Sequence, residues 1–193
     1  MKQLVFATNN RNKLKEASSI IDQDIQILSL DDINFKEEIP ETSATIEENA
    51  LQKANYVFKQ CGYNCFADDT GLEVEALGGK PGVYSARYAG EEKDPLSNMN
   101  KLLQELEGKA NRQARFKTVV ALILKGREYV FEGIIDGTIT EKPLGKKGFG
   151  YDPVFIPLGY NTTFGQMSSE EKNKVSHRAL AIHKMIEFLK NIK

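Results

Sequence analysis

The sequence of 193 residues is poor in the features that announce several whole classes of protein. No apolar run approaches the roughly 20 residues that a membrane-spanning helix needs. Neither charge sign is in excess: 26 Lys and Arg stand against 27 Asp and Glu, a formal net charge of -1. A general nucleic-acid binder needs a basic face, so this balance argues against one, while a small phosphate ligand needs only a few local cations. Cysteine is nearly absent. Cys61 and Cys65 have no second cluster to complete a zinc site, and read as buried free thiols in a reducing cytoplasm. The opening MKQLVFAT lacks the length and cleavage pattern of a secretion signal, so a cytoplasmic location is expected. Repeats, low-complexity tracts and a convincing linker are missing too. The length suits one domain over 1–193 with a sizeable core.

What is present alternates between strand and helix patterns. QLVFAT (3–8) reads as a buried strand, and Leu14, Ala17, Ile20 and Ile21 recur at helical spacing. IQILSL (25–30) is a second strand. Thr45 and Glu48 form a possible capping box before a helix faced by Ala50, Leu51, Ala54, Val57 and Phe58, with Gly62 as its stop. CFADD returns to strand, with a turn expected at Thr70-Gly71 and tight turns over Gly78 to Gly82. Asp94-Pro95 opens a helix with the stripe Leu96, Met99, Leu102, Leu103 and Leu106. RFKTVVALILKG and YVFEGIIDGTIT are long, β-rich stretches joined at Gly126-Arg127. From Ser176 a last helix faces Leu180, Met185, Ile186 and Leu189 to the core. The order implies an α/β fold with a mixed sheet flanked by helices.

Four clusters could carry chemistry. The first is TNNRNK (8–13), between a strand and a helix. Free amides at a helix N-terminus favour anions, and Thr8, Asn9, Asn10 and Lys13 add donors and a charge. A polar turn with a solvated lysine, the commoner outcome for such a stretch, explains it as well, and the glycines of a P-loop are missing. The second is Asp68-Asp69. Strand alternation sends neighbouring side chains to opposite faces, so one acid faces a site and the other supports it. A carboxylate there can hold Mg²⁺, with Glu41 as a second acid or a mere loop charge. The third, KKGFGYDP (146–153), offers Phe149 between Gly148 and Gly150, either for a flat ring or as a hairpin loop. The last, SSEEKNKVSHR (168–178), gathers Lys172, His177 and Arg178. They are readers of an acceptor-rich ligand, a general base at His177, or solvated charges around caps at Ser168 and Ser176. His183, mid-helix, reads as structural or exposed.

Taken together the clusters suit a nucleotide with its phosphates. ATNNRNK, EENALQKA, ADDTGLEVEALGGKPGVYSARYAG, RQARF, GFGYDPVF and EEKNKVSHR, in this order along nearly the whole chain, resemble the Ham1-type inosine/xanthosine triphosphate pyrophosphatases. The resemblance implies an elongated mixed β-sheet flanked by helices, two lobes with a cleft between them, and a homodimer. It also implies Mg²⁺-dependent hydrolysis of purine nucleoside triphosphates (ITP, dITP, XTP) to the monophosphate and pyrophosphate. Carried over, Thr8, Asn9, Asn10, Arg11, Asn12 and Lys13 would cradle phosphates, with Lys53 adding charge. Asp69 would accept the proton and, with Glu41, hold the metal. Thr70 would touch substrate. Phe149, Gly150, Tyr151 and Asp152 would embrace the nucleoside. Lys172, His177 and Arg178 would contact phosphate or the base edge. Asn9, Ser43 and Thr70 stand where relatives often have Gly, Gly and Ser. A nucleotide-binding regulator without catalysis and a phosphomonoesterase are the rival readings.

Overall fold

The computed structural model describes residues 2–21 and 24–192. Met1, Asp22, Gln23 and Lys193, and with them both ends of the expected 1–193 domain, lie outside the described residues. The strands are β1 (Lys2–Phe6), β2 (Ile25–Leu28), β3 (Cys65–Val74), β4 (Pro81–Gly82), β5 (Gln113–Leu124), β6 (Arg127–Ile139) and β7 (Phe155–Pro157). The helices are α1 (Arg11–Ile20), α2 (Ile46–Cys61), α3 (Pro95–Glu105), α4 (Ser169–Val175) and α5 (His177–Asn191). The sheet order is β2-β1-β3-β5-β6-β7, with β4 paired to β3. β1 runs parallel to β2 and β3, whereas β3/β4 and β6/β7 are antiparallel, so the sheet is mixed as expected.

The chain divides into two compact units. The first comprises Met1–Asp69, Thr118–Gly133 and Arg178–Lys193; the second comprises Thr70–Lys117 and Ile134–His177. Each has its own core. In the first, Leu4, Phe6, Phe66, Val120, Leu122, Ile182 and Met185 pack together, and the Phe6 and Phe66 rings stack 4.4 Å apart. In the second, Leu72, Val74, Leu102, Phe116, Phe155 and Phe164 do the same.

Local signals explain most element ends. Asn10 caps α1, its side chain accepting from the Asn12 and Lys13 amides, so the helix starts two residues before Lys13. Thr45 caps α2 through the Glu48 amide, and Gly62 closes it in the left-handed conformation at φ 70°. The reciprocal capping box lies elsewhere, at Ser168 and Glu171 of α4. Lys125 and Gly126, both at positive φ, form the two-residue turn between β5 and β6, one residue earlier than expected.

Three expectations fail. β3 does not turn at Thr70-Gly71 but continues to Val74, because Leu72 and Glu73 pair with β4 and the Leu72 amide donates to Ser85 Oγ at 2.8 Å. Leu96 and Leu180 are exposed, since each falls off the buried face of its helix. Cys61, the last residue of α2, is only half-buried; Cys65 is buried, and burial pushes its thiol up to about 12. The glycine-rich stretch after β3 does form tight turns. It reverses at Gly78 and Gly79 and lays Pro81–Gly82 back on the strand.

Gly137 of β6 has a different reason to be glycine. A Cβ there would lie 2.2 Å from the Ile156 carbonyl oxygen on β7. Gly137→Ala is therefore expected to weaken the β6/β7 pairing and lower the melting temperature by several degrees, read by calorimetry.

Candidate functional site

The first unit gathers seven charged side chains. Asp68 and Asp69 sit on consecutive positions of β3, and alternation separates them as expected. Asp68 is 1% exposed; its Oδ1 lies 3.1 Å from Lys13 Nζ, and its Oδ2 accepts from Arg178 Nε at 2.9 Å. Arg178 also pairs through Nη1 with Glu16 of α1. Asp69 lies 3.3 Å from Lys53 Nζ on α2, and the same ammonium pairs with Glu41. Lys53 is itself 5% exposed.

The loop carrying Glu41 is tied down by α2. The Ser43 amide donates to Asn49 Oδ1 at 2.9 Å, and the Thr42 amide donates to Gln52 Oε1 at 3.0 Å. Gln52 Nε2 in turn donates to Thr42 Oγ1. Ser43 thus holds the loop through its amide and hydroxyl.

Electrostatics divide the two aspartates. Burial opposes ionisation of Asp68, but Lys13, Arg178 and Lys53 outweigh it and hold the carboxyl well below the usual range. For Asp69 burial wins over Lys53 and Lys13, and its proton affinity is raised. Burial lowers Lys13. It pulls Lys53 the same way, yet Asp69 and Glu41 raise that lysine overall. Asp68 is thus held in its anionic form by the cations around it, while Asp69 has the greater proton affinity.

Other predicted residues of this unit are placed differently from a simple cradle. The Thr8 side chain accepts from the Asn10 amide, and Asn10 spends its own side chain on the α1 cap. Asn9, Arg11 and Asn12 are exposed. Glu16, Asn49 and Gln52 were not singled out from sequence. The available signal was helical spacing: Glu16 lies three positions after Lys13, and Asn49, Gln52 and Lys53 share one face of α2.

The second unit has its own cluster. Asp152 Oδ2 accepts from the Phe149 amide at 2.8 Å and from Lys172 Nζ at 2.5 Å. The Lys172 ammonium lies over the Phe149 ring at 5.0 Å and the Phe164 ring at 5.5 Å. Tyr151 is buried and its hydroxyl donates to the Ser85 carbonyl at 2.8 Å. His177 is buried and stacks on Phe116, centroids 4.4 Å apart. Thr70 also falls in this unit, half-buried on β3. His177 and Arg178, neighbours in sequence, belong to different units. His183 is exposed, as expected.

Gly148, at φ 72°, would place a Cβ 2.0 Å from Asp152 Oδ2. Gly148→Ala is expected to push that carboxylate off both partners and cost about 2 kcal/mol or more. Urea unfolding measures the loss; an unchanged midpoint would mean that the turn relaxes freely.

A cavity of about 730 Å³ in the second unit is lined by Glu73, Arg115, Asp136, Thr138 and Tyr160, and by none of the predicted residues. Among the described residues, no three His, Cys, Asp or Glu side chains gather into a metal-binding group, and no helix is long and apolar enough to cross a membrane. Two carboxylates do converge on one cationic position, at Lys53 Nζ.

The model of the Ham1 family matches residues 4–188. A Flavobacterium psychrophilum protein named dITP/XTP pyrophosphatase is 56% identical over 98% of this chain and 100% of its own. A Bacillus subtilis protein of the same name is 47% identical over 98% of both chains. The Staphylococcus aureus Ham1 protein structure superposes with a TM-score of 0.89 at 38% identity, covering 100% of both chains. A Coxiella burnetii HAM1 protein gives 0.90 at 34% identity, again over the full length of both. The chain belongs to the Ham1 family.

Proposed function

We propose that the protein is a Mg²⁺-dependent pyrophosphatase of non-standard purine nucleoside triphosphates, releasing the monophosphate and pyrophosphate from dITP, XTP and ITP. The observation that carries the reading is the Glu41–Lys53–Asp69 bridge in the first unit, with Lys13 held nearby by Asp68. The names of the relatives supply the substrate class. Nothing observed favours a regulator without catalysis.

The donor set fits Mg²⁺, which takes one or two carboxylates and fills its remaining positions with water and phosphate oxygens. Glu41 and Asp69 would hold it, and when bound it would neutralise phosphate charge and make a water more acidic. Asp69, beside the proposed metal position, takes a proton from the attacking water. The water oxygen bonds to the α-phosphorus, the bond from that phosphorus to the bridging oxygen breaks, and its electron pair leaves with pyrophosphate. Lys13 and Lys53 stabilise that leaving charge. Asp68 keeps Lys13 in place by its ion pair.

The second unit presents the Phe149 ring beside Lys172 and Asp152, a setting in which a flat ring can stack. A 6-oxo purine offers an acceptor where adenine offers a donor, and a buried polar site can turn such a mismatch into large discrimination. The family resemblance further supports a homodimer, which a light-scattering mass of twice the chain tests.

A product assay over dITP, XTP, ITP, ATP and GTP with Mg²⁺ decides the matter. Phosphate should appear only when inorganic pyrophosphatase is added, and faster from dITP and XTP than from ATP. Phosphate released without the coupling enzyme would replace this reading by a phosphomonoesterase.

A further inference from the structure

We propose that the Lys53 ammonium is a built-in stand-in for the divalent cation: it occupies the position between Glu41 and Asp69 in the metal-free protein and gives that position up when metal and nucleotide bind. The inference rests on the reading of Glu41 and Asp69 as the metal carboxylates.

The geometry makes one of the three partners the movable one. Asp69 is fixed by the ladder of β3. Glu41 lies at the start of a loop pinned to α2 through Thr42, Ser43, Asn49 and Gln52. Lys53 reaches both carboxylates at the end of a flexible four-carbon stem, so its ammonium can leave without moving the helix. The ammonium cannot share the position with a divalent cation, because like charges a few ångströms apart repel strongly in a site screened from water.

Charge counting shows what the exchange achieves. The cluster holds three cations, Lys13, Lys53 and Arg178, and four carboxylates, Glu16, Glu41, Asp68 and Asp69, a formal balance of 3 − 4 = −1. As it stands it would repel a polyphosphate. A divalent cation between Glu41 and Asp69 changes the balance to +1 and frees the ammonium for the phosphate chain. Metal alone must displace the lysine. Metal with nucleotide gives the lysine a new partner, so the two ligands bind cooperatively.

Mn²⁺ binding to the nucleotide-free protein, followed by electron paramagnetic resonance, tests this without turnover. An opposite charge within reach shifts a carboxylate's proton affinity by roughly 1–3 units, so removing the lysine should tighten Mn²⁺ by about tenfold or more. Lys53→Met is thus expected to bind Mn²⁺ at least about tenfold tighter than the wild type. Equal or weaker binding overturns the inference. Asp69→Asn separates the layers: if it leaves Mn²⁺ affinity unchanged, the metal-site reading itself fails. If it weakens Mn²⁺ while Lys53→Met does not tighten it, only the stand-in role fails. Should Lys53→Met not fold, reductive methylation of the wild type gives the same answer. Saturating Mg²⁺ should raise modification of Lys53 and leave buried Lys172 unchanged as the reference; unchanged Lys53 labelling counts against the exchange.

Discussion

Asp69→Asn is expected to lower kcat by about 10²- to 10⁴-fold, the usual contribution of a positioned general base, while nucleotide binding stays measurable. The substitution keeps the shape of the side chain and an oxygen that can still accept from Lys53, which lies 3.3 Å from the aspartate. What it removes is the negative charge and the proton affinity that burial has raised. Lys53 would keep its pairing with Glu41, and Lys13 its pairing with Asp68, so the protein's own cations are unchanged in number, while the proposed metal position loses one of its two carboxylates. Single-turnover kinetics and equilibrium binding of a non-hydrolysable analogue separate the two effects. A variant that retains more than about a tenth of wild-type kcat would remove Asp69 from the role of proton acceptor.

The parts of the site that were legible in sequence are those set by local rules. Alternation on a strand was enough to divide Asp68 from Asp69, and the capping preference of threonine accounts for the start of α2. Gly62 marks the end of α2 through the backbone conformation that glycine adopts easily. What escaped is set by distance along the chain. Glu16 matters because it meets Arg178, 162 positions away, and no window of sequence contains both. The continuation of β3 past Thr70 depends on β4 and Ser85, so a Thr-Gly pair that locally reads as a turn is held in strand by residues ten or more positions later. The expected phosphate donors Thr8 and Asn10 illustrate the converse. Their side chains do bond to amides, but to amides of their own loop and helix, a local use that the same residue types serve equally well. Leu96 and Leu180 show how an apolar stripe can run one residue too wide, because helical spacing gives the face and not its edge.

Asp68→Ala carries the largest expected effect on stability. The carboxylate is 1% exposed and sits between Lys13 and Arg178, and the guanidinium side chain is only 2% exposed. Removing one partner of a buried pair leaves charge that water does not reach, a loss of about 3–5 kcal/mol. Glu16 still faces Arg178, which places the expectation toward the lower end of that range. The pH dependence follows from the direction of the shift. Burial works against ionisation of Asp68, yet Lys13 and Arg178 outweigh it, so the folded carboxyl holds its proton more weakly than the unfolded one. A depressed group of this kind stabilises the fold fully above the unfolded value of about 3.9 and loses that contribution as pH falls toward the folded value. The stability gap between wild type and the uncharged near-isostere Asp68→Asn should therefore be constant from about pH 7 to about pH 5 and narrow below about pH 4. Urea unfolding across that range measures it. A gap that stays constant into acid would mean that the Asp68 charge is not what stabilises the cluster. An Asp68→Ala variant within about 1 kcal/mol of wild type would show that Lys13 and Arg178 find other counter-charges or reach water. Either result would also remove the support that Asp68 gives to Lys13 in the catalytic proposal.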